Sequence, residues 1–127
     1  MKILICGHPS SGNRLVHELL EAHDVKSWIV HYGEFSVGYD KAVWPVRRNE
    51  FSQHGWSKMN FPDRENQTFD ESVAEHFSQT AYELARLALP CLMVTYEDIV
   101  REPRFQGRRI VEWCGGEWHG WPVEVTD

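Results

Sequence analysis

A chain of 127 residues is sized for one domain around one core, and 42% apolar with 25% charged residues is the balance of a globular protein. The formal net charge of −6 excludes general nucleic-acid binding, which needs a basic surface. No run approaches the roughly 18 apolar residues of a membrane span. The opening MKILICG is interrupted too soon for a signal peptide and reads as a first strand. Cys6, Cys91 and Cys114 are far apart and odd in number, which suits packed thiols in a reducing cytoplasm rather than a disulfide framework. The seven histidines show no metal-ligand spacing, so no metal is expected.

In chain order, KILIC at 2–6 is a continuous apolar run, as in a strand buried on both faces. Residues 13–23 place Leu15, Val16, Leu19 and Leu20 on one helical stripe. KSWIVHY at 26–32 and KAVWPV at 41–46 read as the second and third strands, with Pro45 weakening the end of the third. Residues 49–60 read as a helix interrupted by Gly55, and 60–68 as a polar loop. From Asp70, a helix with an apolar stripe at Val73, Phe77, Ala81, Leu84 and Leu87 or Ala88 is capped by Asp70 and stopped by Pro90. CLMVTY at 91–96 is a fourth strand, and 103–116 a last helix with Pro103 in its first turn and Gly115–Gly116 at its end. Asp98 is expected to cap a short turn between them, and the acidic residues of 63–75 to form a solvated helix face. Trp118 and Trp121 are expected to fold back over the core. Strands alternating with helices imply an α/β class: a three-layer, P-loop-type fold over residues 1–127, with a parallel sheet of about four strands and helices on both faces.

The first strand runs into GHPSSGNR. Gly7 and Gly12 stand at the two glycine positions of the phosphate loop G-x-x-x-x-G-K-[ST], but Asn13 and Arg14 replace its lysine and hydroxyl residue. Strand, small-residue turn and helix start together make an anion site from backbone N–H groups and the helix dipole. Without the lysine and the magnesium-holding hydroxyl, nucleoside triphosphate hydrolysis loses its chemistry. A metal-free anion is the better fit, with Arg14 able to supply charge as a fork. His8 lies within the loop, where it shapes the turn or touches the anion.

The sequence resembles the sulfotransferases that use 3'-phosphoadenosine 5'-phosphosulfate. Their loop reads approximately P-[KR]-S-G-[TS]-[TS], and PSSGNR at 9–14 keeps the Pro, Ser and Gly in register. VTYEDIVREP at 94–103 is similar to their Y-E-D-[LI]-V-x-[DE]-P, and is followed, as there, by a helix and glycine in RRIVEWCGG. KAVWPVRRNEFS at 41–52 resembles the strand ending V-x-R-[DN]-P before a helix that carries a serine. The order of the three segments matches that family. The departures are Ser10 at the basic position, Asn13 and Arg14 at the hydroxyl positions, and Gly55 where the serine is expected, with Ser52 and Ser57 nearest. Family members are longer, so the chain looks like a stripped-down core of the sort small viral or bacterial genomes carry.

The resemblance implies that Pro9, Ser10, Ser11, Gly12, Asn13 and Arg14 hold the 5'-phosphosulfate. It implies that Arg47, helped by Arg48 and Ser52, holds the 3'-phosphate. His31, with Glu34 as the alternative, would be the base that deprotonates a hydroxyl or amine acceptor, and Arg14 would assist the transfer. Tyr96 and Glu97 are expected to pack and hydrogen-bond rather than react. The implied ligand is a nucleotide and the acceptor is open. Two other readings stand beside this one: a non-catalytic degenerate P-loop domain that binds a partner protein, and a nucleotide kinase, which would want a lysine at position 13.

Overall fold

A computed structural model of the chain describes residues 1–48 and 68–121. The expected helix at 49–60, with Ser52, Gly55 and Ser57, lies outside the described residues. Along the chain come β1 (Lys2–Ile5), α1 (Asn13–Ala22), β2 (Lys26–Ile29), β3 (Lys41–Val46), α2 (Phe69–Leu87), β4 (Cys91–Thr95), α3 (Tyr96–Arg101) and α4 (Pro103–Trp113). Among the described residues no helix is long and apolar enough to cross a membrane.

The strands form one parallel sheet in the order β2-β1-β3-β4. Alternation along β1 divides the core in two. Ile3 and Ile5 join Val16, Leu19 and Leu20 of α1 and Ile110 and Val111 of α4. Leu4 and Cys6 join Phe35, Ala42, Trp44 and Leu84 on the α2 side. The result is a three-layer α/β fold, as the alternation of strands and helices implied.

Pro45 sits inside β3, a central strand, and has no N–H to give the ladder. Cys6 N–H donates to Val43 O at 3.1 Å, so alternate residues 43 and 45 face β1. The next N–H on that edge would be that of residue 45, facing the Cys6 carbonyl, and that carbonyl accepts from the His76 ring instead. The second strand is shorter than expected and stops at Ile29.

Two capping expectations are corrected. Thr68, not Asp70, caps α2: its Oγ1 accepts from Glu71 N–H at 3.1 Å, while Asp70 and Glu71 stand in the first turn near the positive end of the dipole. Thr95, not Asp98, caps α3, accepting from Asp98 N–H at 3.2 Å; Asp98 instead pairs with Arg101 at 2.6 Å. A threonine just before each helix can reach the N3 amide, which the carboxylates cannot do from inside the first turn.

The face of α2 is corrected as well. Of the expected stripe Leu84 is buried and Val73 and Leu87 are half-buried, but Phe77 and Ala81 turn outward, Phe77 being 51% exposed. The buried face is Ser72, His76, Thr80 and Glu83, with Phe69 and Leu84 beside them. Burying these polar groups requires partners, and Glu83 has them. It accepts from Phe35 N–H at 2.8 Å and from Arg86 Nη2 and Nε at 2.8 and 3.1 Å, and Arg86 Nη2 donates to Phe35 O at 2.9 Å. This ties the 33–40 loop to α2.

The Arg86 bonds and the Phe35 amide hold the Glu83 carboxyl below its ordinary range. A depressed carboxylate pKa stabilises the fold above the unfolded value, about 4.3, and the benefit is lost as pH falls through the folded pKa. Glu83→Leu should therefore lower the thermal midpoint at pH 7 by several degrees. The gap to the parent protein should close at acid pH; a gap unchanged down to pH 2 would contradict this.

Trp118 and Trp121 do fold back, packing on the α1–α4 side of the core. Trp118 stacks on His23 with centroids 5.1 Å apart, and a Cβ at Gly107 would fall 2.9 Å from both indoles. All three cysteines are free. The hydrogen bond with the neighbouring Cys91, and then burial, raise the Cys6 thiol far above its usual range, in keeping with packed thiols.

Candidate anion-binding groove

The turn from β1 into α1 is built by its own side chains. Asn13 Oδ1 accepts from Gly7 N–H at 2.9 Å, and Asn13 Nδ2 donates to Gly7 O at 2.8 Å. This reciprocal pair closes the loop as a strand neighbour would. Ser11 closes it again, donating both N–H, at 3.0 Å, and its hydroxyl to His8 O. Gly7 is dictated by crowding: a Cβ there would lie 2.3 Å from Ser11 Oγ, 2.5 Å from Asn13 Oδ1 and 2.7 Å from Pro45 O. Gly12 is dictated by both conformation and space, with φ of 108° and Tyr96 Cδ2 at 2.9 Å from any added Cβ. Ser10 takes the left-handed conformation too, at φ 72°.

Above this turn lies a groove of about 770 Å³ whose walls include Ser10, Gly12, Arg14, His31, Arg47 and Tyr96. Its residues come from the loop, the segment after β2, the end of β3 and the start of α3. All four sit at the carboxyl edge of the sheet, where ligands of open α/β sheets bind.

Arg14 stands exposed on the first turn of α1. The Arg47 guanidinium lies 4.2 Å above the Tyr96 ring, and its Nη1 makes a long 3.4 Å bond to Ser10 O. Its Nε is buried without a hydrogen-bond partner among the described residues. Tyr96 thus holds both Gly12 and Arg47, and Glu97 accepts from Arg48 N–H at 3.3 Å. Both pack and bond as expected.

Sequence reasoning brought Ser10, Gly12, Arg14, His31 and Arg47 to one place. It did not foresee that Asn13 and Ser11 turn inward. Both are buried, and their side chains are spent on the loop. Asn13 lines the groove, and Pro9 is buried with its carbonyl taken by His8. Ser52 lies outside the described residues. Glu34, the alternative base, is 79% exposed and sits 3.6 Å from Arg86. It is not among the residues lining the groove.

Behind the loop is an unforeseen cluster of His8, His31, Tyr32, Ser72 and His76. Pro9 O can only accept, so His8 Nδ1 carries the proton, at 3.0 Å. Neutral Nε2 therefore accepts from the Ser72 hydroxyl at 2.9 Å, and Ser72 Oγ accepts from the Tyr32 hydroxyl at 3.1 Å. The His8 ring meets Tyr32, Phe69 and His76 edge-on, and His76 Nε2 is 3.3 Å from Thr80 Oγ1. Burial lowers His8 and His76 to about 4, helped at His8 by repulsion from His31 and at His76 by repulsion from His8 and His31. Burial also lowers His31. No local sequence signal joins His8 to Ser72, which are 64 positions apart. Among the described residues no three His, Cys, Asp or Glu side chains are grouped as metal ligands.

No family model matches the chain, and no curated protein matches it.

Proposed function

We propose that this groove binds 3'-phosphoadenosine 5'-phosphosulfate and that the protein is a small sulfotransferase, passing the sulfuryl group to a hydroxyl or amine acceptor. One observation carries the reading. Two arginines from distant segments and a histidine held neutral by burial line the same groove as the closed loop. Sulfuryl transfer asks for that set: charge to hold and neutralise the leaving phosphate, and a neutral base to take the acceptor proton. Free backbone N–H groups at the start of α1, with Arg14, suit the 5' group. Arg47, pinned by Tyr96 with an unmet Nε, suits a second phosphate. The side chain of Asn13, bonded to Gly7 on both sides, offers no counterpart to a catalytic lysine, which weighs against a magnesium-dependent kinase.

Calorimetry with adenosine 3',5'-bisphosphate, against ATP plus magnesium, tests this. The bisphosphate should bind without metal, and ATP should gain nothing from magnesium. Arg47→Ala should weaken the bisphosphate by about 10- to 100-fold, the size of a lost charge-assisted contact, and adenosine 5'-phosphate far less. Equal losses for the two ligands would remove Arg47 from the 3' position. No binding of any adenosine phosphate, together with a stable stoichiometric complex with another protein, would favour a non-catalytic binding domain instead.

A further inference from the structure

Arg47 and Tyr96 leave the sheet side by side. The last partners of β3 and β4 are Val46 and Thr95, so the next residues along the two strands stand beside each other at the carboxyl edge. β4 runs into α3 without a connecting loop. Thr95 caps that helix at 3.2 Å, and Ile99, 1% exposed, roots it in the core. Tyr96 therefore stands on a fixed base. One edge of its ring meets the loop, where Cδ2 would lie 2.9 Å from a Cβ at Gly12. Its face carries the Arg47 guanidinium at 4.2 Å. Beside it, Glu97 accepts from Arg48 N–H at 3.3 Å, which ties the main chain after Arg47 to the same helix.

An arginine held on a ring differs from one held by a carboxylate. The ring attracts the cation through its quadrupole and leaves the N–H donors unspent. Arg47 keeps a long bond, 3.4 Å to Ser10 O, and its Nε has no partner among the described residues. An arginine free to rotate gives up that freedom when it grips an anion, and one already held does not.

We propose that Tyr96 is a positioning residue that determines specificity: it fixes the distance between the Arg47 guanidinium and the loop, so that the groove selects a ligand by the spacing of its two anionic groups. The inference rests on the nucleotide reading above. An arginine on a mobile stem would meet a second phosphate wherever the ribose carried it. An arginine braced between Tyr96 and Ser10 meets it in one place. Isomers that differ only in which ribose oxygen bears that phosphate are then told apart.

Adenosine 3',5'-bisphosphate and its 2',5' isomer share one base and one charge, so calorimetric titration of each into the full chain reads the selection directly. The parent should prefer the 3',5' isomer by about 10- to 100-fold, the size of one charge-assisted contact made or missed. Tyr96→Phe keeps the ring and should keep that ratio. Tyr96→Met fills the space with a flexible apolar chain and offers no ring face. Its ratio should fall to within about threefold, through weaker binding of the 3',5' isomer, while adenosine 5'-phosphate binds nearly as in the parent. Arg47→Lys, which leaves Tyr96 in place and keeps the charge but not the planar fork, should narrow the ratio as well. The positioning role is refuted, and the nucleotide reading stands, if the parent binds both isomers alike or if Tyr96→Met keeps the parent's ratio. It is refuted equally if Tyr96→Met weakens all three ligands by the same factor. Should Tyr96→Met not fold, Arg47→Lys decides, and an unchanged ratio there refutes the role. If the parent binds no adenosine phosphate, the nucleotide reading is wrong and the positioning role falls with it.

Discussion

Acidification from pH 7 to pH 4.5 should remove a large part of the protein's stability. His8 and His76 are held neutral in the fold at about 4, while in the unfolded chain each protonates near 6.5. A histidine with a lowered folded pKa stabilises the fold above its unfolded value. That contribution drains away as pH falls from about 6.5 towards 4, because the unfolded chain takes up protons that the fold refuses. Each imidazole is worth about 1–2 kcal/mol over that window, and the two act together against a total stability of typically 5–15 kcal/mol. His31, lowered in the same direction, adds to the slope.

The structural cause is specific. Protonating His8 turns Nε2 into a donor, so the Ser72 hydroxyl loses the acceptor for its own proton, and a charge on His76 would sit beside it. Denaturant titrations at half-unit pH steps measure this. His76→Gln should flatten the slope between pH 4 and 6.5 by about a third to a half, one proton of the two or three that the unfolded chain takes up. A stability independent of pH across that range would refute the account.

The second large effect concerns Asn13. Asn13→Ala should cost about 2–4 kcal/mol, because it strands a buried N–H and a buried carbonyl of Gly7 at once. Asn13→Lys, which writes the usual phosphate-loop lysine into the chain, should do no better. A lysine has no acceptor for Gly7 N–H, and its charge would be placed where a buried amide stood. Magnesium-dependent ATP binding should not appear in that variant, and the adenosine 3',5'-bisphosphate affinity should fall with the loop. A lysine variant as stable as the parent, or one that gains ATP binding with magnesium, would show that Asn13 is replaceable and that the loop is an ordinary nucleotide site with one altered residue.

How far the sequence could be read follows from what each element rests on. β3 was legible to the residue because a short apolar run is bounded on both sides by polar residues, and Pro45 does not end it early. The two glycines of the loop were legible as a pattern. The function of Asn13 was not, since a side chain that bonds a residue six positions back leaves no trace in composition. The face of α2 misled because its apolar and polar stripes share one period and lie a single residue apart. Hydrophobicity points to Val73 and Phe77. The partners that make Ser72, His76 and Glu83 the buried set lie in distant segments, and only the fold brings them near. For the groove, residue types named Arg14, His31 and Arg47. Tyr96 was assigned only to packing, and the packing proves to be what aims Arg47.

The neighbouring stripes of α2 also bear on how the molecule assembles. Turning the helix by one residue, about 100°, would exchange its polar stripe for Val73, Phe77 and Ala81 and give a greasier seat on the sheet. The mates waiting at His8, Tyr32 and Phe35, together with the burial of Phe69 and Leu84, favour the setting observed. The turn after β1, which carries His8, therefore helps to set the resting angle of the helix. Closure of that turn and the seating of α2 are coupled through His8 and Ser72, so whatever stiffens the first should also resist rotation of the second.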